Sequence, residues 1–192
     1  TFVAADPARL SAAAVFGAAS VFLMAKESLW AWPVGLVNVV LYTFVFQGAR
    51  LYAQMGLQIV YAVLMVIGFF AWRRGESGAP LVPSFTPPAR LAGFLGLGAA
   101  GTLVIVALLS RTTNGAQPWW DGGTTAFSLV AQYLQTRKRI ESWILWILVD
   151  VVCVGLFASQ KLGPTAALYG VFTLLAAMGL RDWLRSAKGA AA

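Results

Sequence analysis

Histidine is absent from this 192-residue chain, and cysteine occurs once, at Cys153. The first absence removes the commonest zinc and haem ligand and the usual general base. The second removes a disulfide framework and any cysteine-built metal site. Charge is scarce too: 11% of residues are Asp, Glu, Lys or Arg, against about a quarter in an average soluble domain. Hydrophobic residues make up 59%, and mean hydropathy is +0.75. A soluble protein of this composition could not cover its surface, so the chain reads as an all-α integral membrane protein. Hydrolase triads and metalloenzymes are excluded; the chain is not read as an enzyme, and it calls for no cofactor and no metal. The formal charge of +7 is not a nucleic-acid signal here, because Lys and Arg gather on the cytoplasmic loops of membrane proteins.

A spanning helix needs about 20 mainly apolar residues, and seven such stretches are present. They run from about Leu10 to Ala25, Trp30 to Phe46, Leu51 to Trp72, Leu91 to Leu109, Gly122 to Leu134, Trp143 to Ala158 and Pro164 to Trp183. A Pro-rich linker, Arg73 to Pro88, precedes the fourth. No positively charged start precedes the first apolar run, so a span is expected there in place of a cleaved signal peptide. Seven spans put Lys26, Arg73, Arg74, Arg90, Arg137, Lys138, Arg139, Arg181, Arg185 and Lys188 on one side, and only Arg9, Arg50, Arg111 and Lys161 on the other. That imbalance predicts an outside N-terminus and a cytoplasmic C-terminus in a bacterial inner membrane. Trp30, Trp32, Trp72, Trp119, Trp120 and Trp183 fall near predicted helix ends, as an interfacial aromatic belt does.

A weak internal repeat is visible. Glu27-Ser28-Leu29-Trp30 precedes the second span and Glu141-Ser142-Trp143 the sixth, while Gly68-x3-Trp72 and Gly179-x3-Trp183 close the third and seventh. Helices one to three and five to seven then form two copies of one unit, and the odd fourth helix keeps both in the same orientation. The division is 1–72, 73–118 and 119–192. Parallel repeats of this kind occur in transporters, with substrate near mid-membrane.

Polar side chains cost free energy in hydrocarbon unless partnered, so the few within spans are the informative ones. Asp150 is the only acid well inside a span, and it shares a helical face with Trp143 and Trp146. Aromatic walls beside a carboxylate suit a flat cationic ligand; the alternative is a protonated Asp hydrogen-bonded within the bundle. The fifth helix carries Asp121, Thr124, Thr125, Ser128, Gln132 and Gln135 largely on one face, which lines a cavity or packs on another polar face. Asn38 with Tyr42, and Gln58 with Tyr61, are helical neighbours able to bind a ligand or to bridge helices. Pro33 and Gly35 offer a bend or close packing in the second helix.

Together these strings resemble the PnuC-type vitamin transporters: Trp32-Pro33-x-Gly35, Leu51-Tyr52-Ala53, Gln58-x2-Tyr61 and Gly68-x3-Trp72 in the first half. In the second half the matching strings are Trp120-Asp121, Ser128, Thr136-Arg137-Lys138, Glu141-x-Trp143-x2-Trp146 and Asp150. The resemblance implies nicotinamide riboside uptake by facilitated diffusion, a homotrimer, and a parallel three-plus-one-plus-three repeat like a full-length SWEET transporter. It maps the family's ligand site onto Trp143, Trp146 and Asp150, with Gln58 and Ser128 contributing. Ser142 stands where relatives often have Asn, Ile67 where they have Tyr, and Asp150 where some have Asn.

The expectation is therefore a uniporter with the two three-helix units rocking around the ligand. The pyridinium stacks on Trp143 and Trp146, polar groups meet Asp150 or Gln132, and Asn38, Gln58, Tyr61, Thr125 and Ser128 supply further hydrogen bonds. Thiamine or another B vitamin is the alternative cargo. A retinal protein is excluded, since Lys161 precedes the last helix instead of lying in it, and no G-x4-G-K-[ST] motif for ATP is present.

Overall fold

In the computed structural model, residues 7–48, 52–76, 78–112, 118–161 and 163–190 are described. Arg50 and Leu51, used above for the charge count and the resemblance, lie outside them. Among the described residues seven helices follow one another: α1 (Pro7–Ala25), α2 (Ala31–Gly48), α3 (Tyr52–Arg74), α4 (Pro88–Thr112), α5 (Pro118–Thr136), α6 (Glu141–Ser159) and α7 (Gly163–Ala190). All seven expected stretches are helical. The largest differences are at α5, which starts at Pro118, and at α7, which runs past Trp183 to Ala190. Proline at the first helical position is already set at a helical φ and lacks only an N–H that would be unpaired there. At 28 residues, α7 is about 42 Å long, so its basic end extends beyond a hydrocarbon core of about 30 Å.

Four helices hold stretches long and apolar enough to cross a membrane: Met55–Arg74, Pro88–Arg111, Glu141–Ser159 and Gly163–Ala190. Their outer faces are apolar as well. Leu174 is 73% exposed and Leu97 66%, a surface that only hydrocarbon solvates without penalty. The amphipathic α5 is the exception, and it buries Ser128, Gln132 and Gln135.

The chain forms two compact units, Thr1–Leu81 and Val82–Ala192. In the first, α2 packs on both α1 and α3. The Ser20 hydroxyl donates to the Ala31 carbonyl at 2.8 Å, and a Cβ on Gly35 would stand 2.7 Å from the Ser20 Oγ and 2.9 Å from Met65. Small residues thus bring these helices close, as in membrane bundles generally. Trp32 lies flat against Gly68, whose missing side chain makes room for the ring, and meets Trp72 edge to face at 5.2 Å.

In the second unit α4 packs on α5, α5 on α6 and α6 on α7. Gly98 accommodates Phe127, and Gly122 accommodates Val106. Trp143 presses on Gly179, where a Cβ would come within 2.6 Å of the ring, and meets Trp183 edge to face at 5.4 Å. Each unit therefore holds a Trp–Gly–Trp interlock with the same spacing in sequence, 32–68–72 and 143–179–183.

This corrects two expectations. The tryptophan of the first unit that packs like Trp143 is Trp32; Trp30, aligned with Trp143 by the flanking Glu-Ser, is 70% exposed. Trp32, Trp72 and Trp183 are buried, held by glycines and by each other, so only Trp30, Trp119 and Trp120 are free to serve as an interfacial belt.

The interlock yields a direct test. Gly179→Ala is expected to lower stability by about 1–3 kcal/mol, the usual cost of overpacking. Gly170→Ala, on the same helix with open space at its Cβ position, is expected to be neutral or to stabilise by up to about 1 kcal/mol through helix propensity. Thermal unfolding of the two variants in detergent compares them.

Candidate functional site

The face of α6 bearing Trp143, Trp146 and Asp150 does turn inward, but its three residues have different surroundings. Trp143 is 1% exposed and is held between Gly179 and Trp183 of α7. Trp146 is half-buried and packs on the cluster of Ala131, Leu134 and Leu145 that Phe94, Phe127 and Val130 also touch. Its indole N–H donates to the Gln135 Oε1 of α5 at 2.8 Å. Asp150, one turn further on, is 5% exposed. No hydrogen bond or ion pair from the described residues reaches its carboxylate. One turn beyond it lies buried Cys153.

The polar stripe of α5 packs against α6 within this unit. Ser128, Gln132 and Gln135 are buried at 7%, 4% and 4% exposure, whereas Asp121 is exposed and Thr124 and Thr125 are half-buried. Hydroxyls on this helix are satisfied by its own backbone: Ser128 donates to the Thr125 carbonyl at 2.9 Å and Thr124 to that of Trp120 at 2.8 Å. Such back-bonding lets a hydroxyl sit in an apolar bundle and still keep lone pairs as acceptors. The structure therefore brings Ser128, Gln132, Gln135, Trp146 and Asp150 onto the buried faces of two packed helices.

The candidates of the first unit do not converge. Asn38 donates to the Ala13 carbonyl of α1 at 2.6 Å, tying two helices together. Gln58 lines an open groove of about 480 Å³ between α2 and α3, whose other walls include Val39, Val40, Phe44, Ile59 and Val63. Tyr61 is half-buried and is not among the residues lining that groove.

Sequence reasoning missed one assembly. The Pro-rich linker before α4 docks on the turn between α5 and α6. The Ser84 N–H donates to the Lys138 carbonyl and the Ile140 N–H to the Ser84 carbonyl, both at 3.1 Å. The Arg139 guanidinium donates to the Ser84 hydroxyl at 2.6 Å. Buried Glu141 accepts from the Thr86 N–H at 2.7 Å and from its hydroxyl at 3.1 Å. The acid of the Glu-x-Trp-x2-Trp string is thus a clasp for the linker. Its only prior signals were an acid at a helix start and two hydroxyl residues among prolines.

Comparison with known proteins follows the same outline. The sequence pattern of the family described as nicotinamide mononucleotide transporter matches residues 9–185. The nicotinamide riboside transporter PnuC of Escherichia coli K12 is 27% identical over 200 residues, covering 91% of this chain and 84% of that protein. The riboflavin/roseoflavin transporter RibM of Streptomyces davaonensis is 31% identical over 178 residues, covering 90% and 83%. The crystal structure of the vitamin B3 transporter PnuC superimposes with a TM-score of 0.77 at 28% identity, over 96% of this chain and 83% of that one.

The clasp predicts a local effect. Glu141→Ala leaves the buried Thr86 N–H unpaired and is expected to cost about 1–3 kcal/mol, with faster hydrogen–deuterium exchange at Ser84 and Thr86 by mass spectrometry. Glu141→Gln keeps an acceptor and is expected to lose less.

Proposed function

Because this chain belongs to the nicotinamide mononucleotide transporter family, we propose that it imports nicotinamide riboside across a bacterial inner membrane. The observation that carries the reading is the likeness to PnuC along nearly the whole chain, in sequence and in fold. It is a transporter family, and the site described above offers binding groups, not a catalytic constellation.

In this reading the seven helices span the bilayer with the N-terminus outside, and the architecture is a parallel three-plus-one-plus-three repeat divided at 1–72, 73–118 and 119–192. The recurrence of the Trp–Gly–Trp interlock at equal spacing supports the repeat. The nicotinamide ring lies against Trp146, which is half-buried, with fully buried Trp143 fixing the start of α6 behind it. Ser128, Thr125 and Gln132 bind the ribose and the carboxamide, and Asp150 faces the pyridinium charge. Asn38, Gln58 and Tyr61 are the first unit's own candidate contacts; Asn38 has a second N–H and a carbonyl oxygen beyond its bond to Ala13. Movement is facilitated diffusion, with the working unit a homotrimer.

A second cargo is supported by one observation: RibM is 31% identical to this chain. Riboflavin is neutral and wider than nicotinamide riboside, so Asp150 gives it no charge contact.

Thermal unfolding of the detergent-purified protein decides between them. Ligand binding to the folded state alone contributes about 2.7 kcal/mol at 100 times Kd, a rise of about 5–10 °C for a chain of this size. Nicotinamide riboside is expected to give that rise and nicotinamide mononucleotide and riboflavin none, with Trp146→Ala abolishing it. A rise with riboflavin alone would replace the cargo by a flavin.

A further inference from the structure

Asp150 has no counter-charge in its own unit. It is 5% exposed, and no hydrogen bond or ion pair from the described residues reaches it. Neither α5 nor α6 contains a Lys or Arg, and the basic residues of α7 are Arg181, Arg185 and Lys188, at its far end. The basic residues of α4, Arg90 and Arg111, stand in its first and last turns. Cys153 lies one turn on along α6, and the titratable groups that bear on that thiol are Asp150 itself, Asp121 on α5 and Tyr169 on α7; none of them brings positive charge. Among the described residues no cluster of three metal-ligating side chains is present to bring an ion.

A carboxylate in such surroundings has two ways to avoid an uncompensated charge: it holds a proton, or it meets a cation. We propose that Asp150 is a cation-exchange group, protonated in the empty carrier and surrendering that proton to water when a cationic vitamin binds. The exchange is balanced: the O–H bond of the acid breaks, the proton leaves to solvent, and the carboxylate pairs with the ligand's fixed positive charge. The loaded and the empty site are then both neutral. This rests on the transport reading above and adds to it a proton count and a pH dependence. Where Asp150 is protonated, proton and ligand compete for one site, so affinity for the cation rises up to tenfold per pH unit and levels off once the acid is ionised. A neutral ligand shows no such slope.

The test is calorimetric titration of the full-length protein between pH 5 and 8, in paired buffers of different ionisation enthalpy. The probes are nicotinamide riboside, its neutral dihydropyridine form, thiamine and riboflavin. Expected is release of up to one proton per bound cation, none for the dihydropyridine form, and an affinity for the cation that climbs with pH. Asp150→Asn, which keeps the shape and removes the charge, is expected to release no proton, to bind the cation at least tenfold more weakly near pH 8 and to lose the pH slope. Cation binding without proton release at any pH, or an Asp150→Asn variant that retains the slope, would overturn the exchange and leave the transport reading intact. Proton-linked binding of thiamine without nicotinamide riboside upholds the exchange and overturns the cargo. Riboflavin as the sole ligand overturns both. Should Asp150→Asn not fold, the proton count and the discrimination between the two riboside forms in the unmodified protein still decide.

Discussion

Hydrocarbon cannot hydrogen-bond to a peptide group, so a chain that crosses it must pair each N–H and C=O within its own helices. The same limit extends to side chains, and it accounts for most of what distinguishes this molecule. Hydroxyls turn back onto the carbonyl one turn earlier, as at Thr43, Thr102, Thr124 and Thr173. Asn38 and Trp146 reach the neighbouring helix. The amphipathic α5 buries its amides, and Gln135 meets Trp146 of α6. What stays unpaired among the described residues under this rule stands out, and Asp150 is the ionisable case.

Without a hydrophobic driving force between helices in lipid, close packing has to hold them together. Here that packing is an indole laid on a glycine. Gly68 and Gly179 open a space that Trp32 and Trp143 fill, and the second tryptophan one turn along, Trp72 or Trp183, meets the same ring edge to face. Two bulky rings and one absent side chain fix the contact of helix two with helix three in one unit and of α6 with α7 in the other. Among the described residues the indole N–H groups of Trp32 and Trp143 have no partner, a cost that the packing must exceed.

The helices were legible in the sequence because hydropathy reports a bilayer directly, and their ends were shifted only where other rules act. Pro118 starts α5 ahead of its apolar run, and the charged tail of α7 stays helical outside the hydrocarbon. Which tryptophan is buried was not legible: Trp30 and Trp32 are two residues apart with similar neighbours, and only a glycine 36 residues beyond Trp32 decides. Asp150 could be singled out because a single acid in an apolar run has no competing explanation by composition. The site role of Trp143 was harder to read, since helical spacing puts it on a face with Trp146 and Asp150 but says nothing of the α7 residues that enclose it. Glu141 shows the same limit. Its place in a motif was plain, whereas its partner Thr86 lies 55 residues earlier in a stretch with no periodicity at all.

That clasp between Thr86 and Glu141 also sets an order of events in synthesis. The chain emerges from the ribosome from its N-terminus, so the segment before α4 is made while its anchor is still 55 residues from being translated. Helices α4 and α5 are both made before that anchor, and only the appearance of α6 gives the waiting segment something to grip. The grip therefore registers completion: it forms once the first turn of α6 has been delivered to the same side as the linker, and an α6 inserted the wrong way round would leave Ser84 and Thr86 ungripped.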